Sequence, residues 1–412
     1  MKCVIDSNLI LSKAPEGPAA AYIRPFAKSL REQGYAPQSI HRQVLLAASF
    51  SGWLARRRLV LRAVSSSLIP QYLRYRLRRV RPSHGDLAAL KHLLEFLRCQ
   101  GAIPVEKIAR YSTTAVERCA RRYEQHLRKA RGLSQATIIN YVPFVRSFLA
   151  DCFGNGAVAW SQLCARDVVR FVERQSRCLH PKRSKLLTSA LRSFLQYARY
   201  AGKVKLDLAA AVPVVPNWTM TSIPRAISGN QVRQLLASID RSTALGCRDY
   251  AIVLVLARLG LRSGEVAFLE LDDIDWKAGQ LTVHGKTGQR GELPLPTDVG
   301  KAIAAYLRNG RPHSTCRRLF LRSKAPISGF QGASGVGSIV RHRLQRAGID
   351  APTRGAHQFR HGLACEMLRH GASLGEIGES LGHHSPETTR IYAKVDLKAL
   401  RTLALPWPGG VR

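Results

Sequence analysis

At 412 residues the chain exceeds what one ordinary core organises, so two or three domains are expected. A hydrophobic fraction of 45% excludes pervasive disorder. The net charge of +37 excludes an ordinary neutral surface, because so basic a chain repels itself unless a polyanion such as nucleic acid is present.

That charge is uneven: residues 1–222 carry 37 Lys+Arg against 12 Asp+Glu, and residues 223–412 carry 27 against 15. Nine cysteines with no C-x-x-C pair suit reduced thiols rather than a disulfide framework or a zinc ribbon. Asp6 and Asn8 interrupt the short apolar run at the start, so no secretory pattern is read there. The most apolar segment, 250–261, is broken by Arg258 and is too short to span a bilayer. A cytoplasmic, nucleoid-associated protein with no membrane partner is expected.

Taken in order, the first 110 residues alternate amphipathic helix patterns with basic runs. FAKSLREQGY (26–35) leads into a helix over 39–59, where Ile40, Val44, Ala47 and Ala48 recur at helical spacing. Residues 68–82 read as a very basic helix closed by Pro82. Residues 87–104 read as another, with Gly101 at its C-terminal end and Pro104 just beyond.

The next hundred residues repeat that plan. Gly34, Ile40, Val44 and Phe50 align with Gly132, Ile138, Val142 and Phe148 at an offset of 98. Leu90, Leu93, Leu94 and Gly101 align with Leu191, Phe194, Leu195 and Gly202 at an offset of 101. Ile69, Tyr72 and Leu73 stand opposite Val168, Phe171 and Val172. The pattern predicts a duplicated four-helix module. Arginines line both copies: Arg56, Arg57, Arg58, Arg74, Arg78, Arg79 and Arg81 in the first, Arg118, Arg121 and Arg122 in the second. One such run alone is an ordinary solvated face. Repeated across two modules with few acids, the runs read as phosphate-contacting faces.

From 207 to 224 the helical period disappears, and three prolines in 213–224 mark an extended linker. Beyond it, Ser228 caps a helix over 231–239, and 250–261 is a buried helix. GQLTVHGKTGQRGELPLP then reads as two strands around a glycine-rich turn. Helices follow at 301–307, 338–347, 357–370 and 374–381. The chain is expected to be mainly α, with a mixed α+β C-terminal domain and a small β-sheet.

The residues that carry chemistry lie in this last part. Arg262 stands in GLRSGE, Lys286 in HGKTG, His357 and Arg360 in HQFRH, and His383 in LGH. Tyr392 follows nine residues after His383. Attack on a DNA phosphodiester adds negative charge, so catalysis needs cations aimed at the phosphate oxygens beforehand. Arginine suits this because it is permanently charged and forks across two oxygens. A tyrosine hydroxyl, with pKa near ~10, needs a cationic field and a proton acceptor. The departing 5′ oxygen needs a proton, which lysine or histidine can supply. Arg262, Lys286, His357, Arg360, His383 and Tyr392 meet these needs with no metal and no cofactor.

Other readings of the same residues are weaker. His357 and His361 have zinc-ligand spacing, yet Gln358 stands where a metalloprotease needs glutamate and Arg360 brings a cation beside the metal. Gly285, Lys286 and Thr287 resemble the end of a phosphate loop, but Gln280 occupies the first glycine position. Asp272, Asp273 and Asp275 could serve a two-metal nuclease, although so tight a cluster is more typical of a turn.

The order G-L-R-S-G-E, hairpin lysine, H-x-x-R-H, L-G-H and tyrosine resembles the tyrosine recombinase (phage integrase) family. The resemblance implies site-specific cutting and rejoining of DNA through a 3′-phosphotyrosyl bond, with Arg262, Lys286, His357, Arg360, His383 and Tyr392 catalytic. Glu265 and His361 match supporting positions. It further implies a SAM-like helical core-binding domain at 109–212, a linker at 213–224 and a catalytic domain with a C-terminal tail at 225–412. The module at 1–108 would be an additional copy of the core-binding type. Implied partners are double-stranded DNA carrying core sites and a homo-oligomer, a tetramer, on paired sites. A mobile element is the expected source. A DNA-binding regulator on the same fold is disfavoured by the intact set of six residues. A type IB topoisomerase-like enzyme is disfavoured by the terminal LKALRTLALPWP, which resembles a tail docked on a neighbouring subunit.

Overall fold

The computed structural model describes residues 13–81, 83, 85–105, 114–154, 156–215, 224–285, 290–383, 385–395 and 400, and the backbone of 3–6 and 9–11. The chain divides into two compact units, one of Glu106–Thr221 and one of Met1–Val105 with Ser222–Arg412.

The first module begins with a short antiparallel pair, β1 (Cys3–Asp6) and β2 (Leu9–Leu11), which the sequence pattern did not predict. Four helices follow: α1 (Ala20–Glu32), α2 (Pro37–Arg56), α3 (Leu68–Leu77) and α4 (Asp86–Cys99). Phe26, Phe50, Tyr72 and Leu94 lie at the centre of their core. α3 stops at Leu77, five residues before the expected end at Pro82, which itself lies outside the described residues. Its last buried side chain is Tyr72, and beyond Leu77 no apolar face is left to hold the helix. Within the same unit, the Ile327 N–H donates to the Gln33 carbonyl at 2.9 Å, joining this module to a loop of the C-terminal region.

The second unit holds α5 (Ala115–Lys129), α6 (Gln135–Phe153), α7 (Ala165–Cys178) and α8 (Pro181–Tyr200). Its core, like that of the first module, is lined by residues from all four helices. Ile23, Phe26 and Leu30 of α1 correspond to Ala120, Tyr123 and Leu127 of α5, all buried. Phe50 meets Tyr72 edge-on at 5.0 Å, and Phe148 meets Phe171 edge-on at 5.2 Å. Gly34 and Gly132 both take positive φ (79° and 57°) after the first helix of each module. Leu208, Ala209 and Val212 remain in the second core, and Arg192 Nη2 donates to the Val212 carbonyl at 2.9 Å. Most of the expected linker, 216–223, lies outside the described residues.

The C-terminal region is built around α10 (Ala244–Leu259), which is buried along most of its length; α9 (Gly229–Ala237) precedes it. Thr243 Oγ1 accepts from the Gly246 N–H at 3.0 Å and starts α10 six residues before the expected 250, because the charged Arg248 and Asp249, buried in the second turn, interrupt the apolar run. α11 (Ser263–Phe268) follows, then an antiparallel sheet of β3 (Ile274–Asp275), β4 (Gln280–His284) and β5 (Arg290–Pro294) in that order. The hairpin was expected; two-residue β3 was not. α12 (Thr297–Asn309) and α14 (His357–Arg369) pack on α10, with α13 (Ala333–Arg346) between them in sequence. α15 (Leu374–Ser380), α16 (Pro386–Thr389) and a 3₁₀ turn, Arg390–Val395, close the described chain but for Leu400. Among the described residues no helix is long and apolar enough to cross a membrane.

Candidate active site

Arg262 is fixed by the turn between α10 and α11. Gly260 adopts left-handed φ (59°) to end α10, and a Cβ there would lie 2.8 Å from Leu381 and 3.0 Å from Leu363. Arg262 is then the N-cap of α11, and Glu265, three residues on, accepts from both its backbone N–H and its Nη1 at 2.7 Å. Arg262 Nη2 donates to the Gly382 carbonyl at 3.4 Å.

Arg360 reaches the same turn from α14. Its Nη1 donates to the Gly260 carbonyl at 2.9 Å, and its Nη2 donates to the Leu381 carbonyl. Burial, then the neighbouring Arg262, push its pKa down to about 10, so it stays charged at neutral pH. Gly382, with φ 61°, ends α15 and makes this carbonyl-lined corner. Two guanidiniums thus converge on the LGH segment, each held by groups other than solvent.

His357, Arg360 and His361 follow at i, i+3 and i+4 on one side of α14, while Gln358 and Phe359 are buried. The His361 Nδ1 and Tyr392 Oη are hydrogen bonded at 2.9 Å. His357 is exposed, its ring 5.8 Å from that of His361. Tyr392 is only 1% exposed, and burial raises its pKa to about 12 against the lowering pull of Arg360. His361 is pushed below the usual imidazole range by burial, then by His357 and Arg360. His383 stacks on Tyr392 with centroids 6.5 Å apart and bonds Thr389 Oγ1 through Nδ1 at 2.7 Å. Burial first, then Arg360 and Arg262, lower its pKa to about 4.

A cavity of about 270 Å³ opens between Arg262, Arg360 and His383 and reaches Gly285, just after β4, and Arg290, the first residue of β5. Lys286, between β4 and β5 in sequence, lies outside the described residues, as do Leu397, Leu403 and Leu405 of the expected tail. Of the predicted set, Arg262, His357, Arg360, His383 and Tyr392 come together, with Glu265 and His361 among them. Sequence reasoning missed Thr389; its only signal was a buried threonine three residues before the tyrosine.

Arg56, Arg57, Arg58, Arg74, Arg78, Arg118, Arg121 and Arg122 are exposed on the helical modules. The aspartate cluster is engaged otherwise: Asp272 pairs with Arg317, Asp273 with His284 at 2.9 Å, and Asp275 caps Lys277 and Ala278. Among the described residues no three His, Cys, Asp or Glu side chains gather as metal ligands do.

A tyrosine hydroxyl on a histidine, beside two anchored arginines and a cavity, defines a site able to move a phosphoryl group onto tyrosine. Residues 225–398 match the phage integrase family, and 120–202 match its N-terminal SAM-like domain. The chain is 58% identical, over 99% of both chains, to a protein of Sinorhizobium fredii (strain NBRC 101917 / NGR234) described as an integrase/recombinase, y4rA. It is 31% identical to the tyrosine recombinase XerC of Azotobacter vinelandii (strain DJ / ATCC BAA-1303), over 67% of this chain and 90% of that one. In fold it is similar to the XerH site-specific recombinase bound to a palindromic difH substrate (TM-score 0.56, 19% identity, 69% and 83% of the two chains). A lambda integrase tetramer bound to a Holliday junction gives a TM-score of 0.50 at 16% identity, covering 76% and 87%. The chain belongs to the phage integrase family and is a tyrosine recombinase, an enzyme of site-specific recombination.

Proposed function

We propose that this recombinase cuts and rejoins double-stranded DNA at paired core sites, with Tyr392 as nucleophile, working as a homo-tetramer encoded by a mobile element. The observation that carries the reading is the 2.9 Å bond between Tyr392 Oη and His361 Nδ1, beside Arg262 and Arg360. His361, neutral at pH 7 because its pKa is depressed, accepts the tyrosine proton. Tyr392 Oη then bonds to phosphorus as the bond to the 5′ oxygen breaks, and that oxygen takes a proton from Lys286. Arg262 and Arg360 stabilise the added charge, with His357 and His383 donating to the same phosphate. The bond energy stays in the phosphotyrosyl ester, so the reverse attack by a 5′ hydroxyl rejoins the strand.

The nucleoid is then the expected place of action. The core site is sought as inverted repeats flanking the encoding gene. On a nicked suicide substrate carrying it, the protein traps itself covalently, and Tyr392→Phe binds the DNA yet traps nothing. Covalent attachment of the Phe variant would overturn the assignment.

A further inference from the structure

The two helical modules share an interior but not a surface. Between residues 33 and 85 the first module has ten arginines and no Asp or Glu, and nine of the ten fall within 56–81. Of those nine, among the described residues, Arg76 alone pairs with a carboxylate, Asp86 at 3.7 Å. In the second module acids are interspersed: Arg121 and Arg146 pair with Glu117, Arg128 with Glu124, and Arg174 with Asp151.

The first module's arginines are also gathered in space. The end of α2 and the end of α3 meet at Tyr75, whose ring centroid lies 5.7 Å from the Arg56 guanidinium and 5.0 Å from that of Arg79. Arg57 lies 4.7 Å over Trp53 and donates to Gln71 Oε1 of α3 at 2.9 Å. Aromatic faces and an amide thus hold these cations where the second module uses carboxylates. A ring touches the flat of a guanidinium and leaves charge and edge N–H groups for a phosphate. Arg58 and Arg62 follow directly, and Arg74 and Arg78 stand one turn apart at the end of α3, all exposed.

Gathering like charges with only Glu16 and Asp86 as nearby counter-charge is unfavourable in water, and a dense row of phosphates relieves it by releasing its own counterions. We propose that the face around Arg56, Arg57 and Arg79 binds the phosphate backbone of duplex DNA beyond the segment held at the active site. It is a second DNA-binding copy of the helical fold. Duplex DNA is the occupant the observations favour. The same fold recurs in the part matching the integrase SAM-like domain, the arginine fork matches phosphate geometry, and the substrate duplex continues past the site. The inference rests on the reading of the chain as acting on duplex DNA, and the experiment separates the two.

Full-length protein, the triple variant R56Q/R57Q/R79Q and the triple variant R56K/R57K/R79K are compared on a long duplex carrying the core site. The Gln triple should make the slope of log affinity against log salt shallower by about 2 to 3, at ~0.9 for each phosphate no longer neutralised. Its nuclease footprint should shorten, and its covalent yield at saturating protein should match the unsubstituted chain. The Lys triple should keep the slope. An unchanged slope and footprint in the Gln triple overturns the inference, and accompanying loss of self-association assigns the face to a neighbouring subunit. A Lys triple that loses the slope as fully overturns it as well, since charge is then not what binds. No covalent product even from the unsubstituted protein overturns the active-site reading instead.

Discussion

The first module and the C-terminal region both depend on arginine, and they hold it in opposite ways. Arg262 and Arg360 are locked by Glu265 and by the carbonyls of Gly260, Leu381 and Gly382. Arg56, Arg57 and Arg79 rest on rings at the surface. A locked cation loses its freedom before substrate arrives and can be aimed at charge that develops during reaction. A cation resting on a ring keeps its edge N–H groups open and acts through attraction to any phosphate in reach. The difference separates rate from affinity, and single substitutions can test it.

The largest effect is expected at Arg360. Arg360→Ala should slow cleavage by about 10²–10³-fold, the scale of losing one preorganised donor, with DNA affinity little changed. Single-turnover cleavage beside a binding titration checks this, and a loss confined to binding would erase the distinction. Glu265→Gln weakens the brace on Arg262 while leaving every cation in place. Cleavage should fall by about 10-fold, in line with a hydrogen bond to a charged group, again without weaker binding.

A pH series sharpens the contrast next. His361 and His383 both have pKa values depressed by burial and nearby cations, His383 to about 4. The unfolded chain therefore takes up these protons first, near pH 6.5, so folding stability should be full above that pH and decline towards pH 4. The melting temperature should drop over that window, and His383→Asn should flatten part of the drop. The smallest effect belongs to the first module: Arg74→Gln should leave the cleavage rate at saturation unchanged and make the salt slope shallower by ~0.9. A rate change there would mean that the exposed arginines are not mere binders.

Much of the site was legible because its parts are short and local. GLRSGE encodes a helix end, a cap and a brace within six residues, and HQFRH places two histidines and an arginine on one helical face. What could not be read is the pairing between segments. Nothing in the sequence marks the carbonyls of Gly260 and Leu381 as partners of Arg360, since every residue has a carbonyl. Thr389 gives no sign of its bond to His383, because a threonine before a tyrosine suits a surface turn equally well. In the fold, long apolar helices were found and their starts missed, as at α10, where the charged pair Arg248 and Asp249 interrupts the apolar run. Strands of two to four residues, β1, β2 and β3, are too short for alternation to appear.

The burial of Tyr392, at 1% exposure, bears on the fate of a broken strand. A phosphotyrosyl ester is chemically open to water, and each hydrolysis would leave a permanent nick in a chromosome. On the proposed chemistry the ester forms on a side chain packed among Ala364, Cys365, Ile377 and Leu381, which limits the directions from which water can approach. A DNA end tethered in the same complex would instead compete with water at a high effective concentration. Genome integrity during recombination then depends less on speed than on which nucleophile can reach the phosphorus.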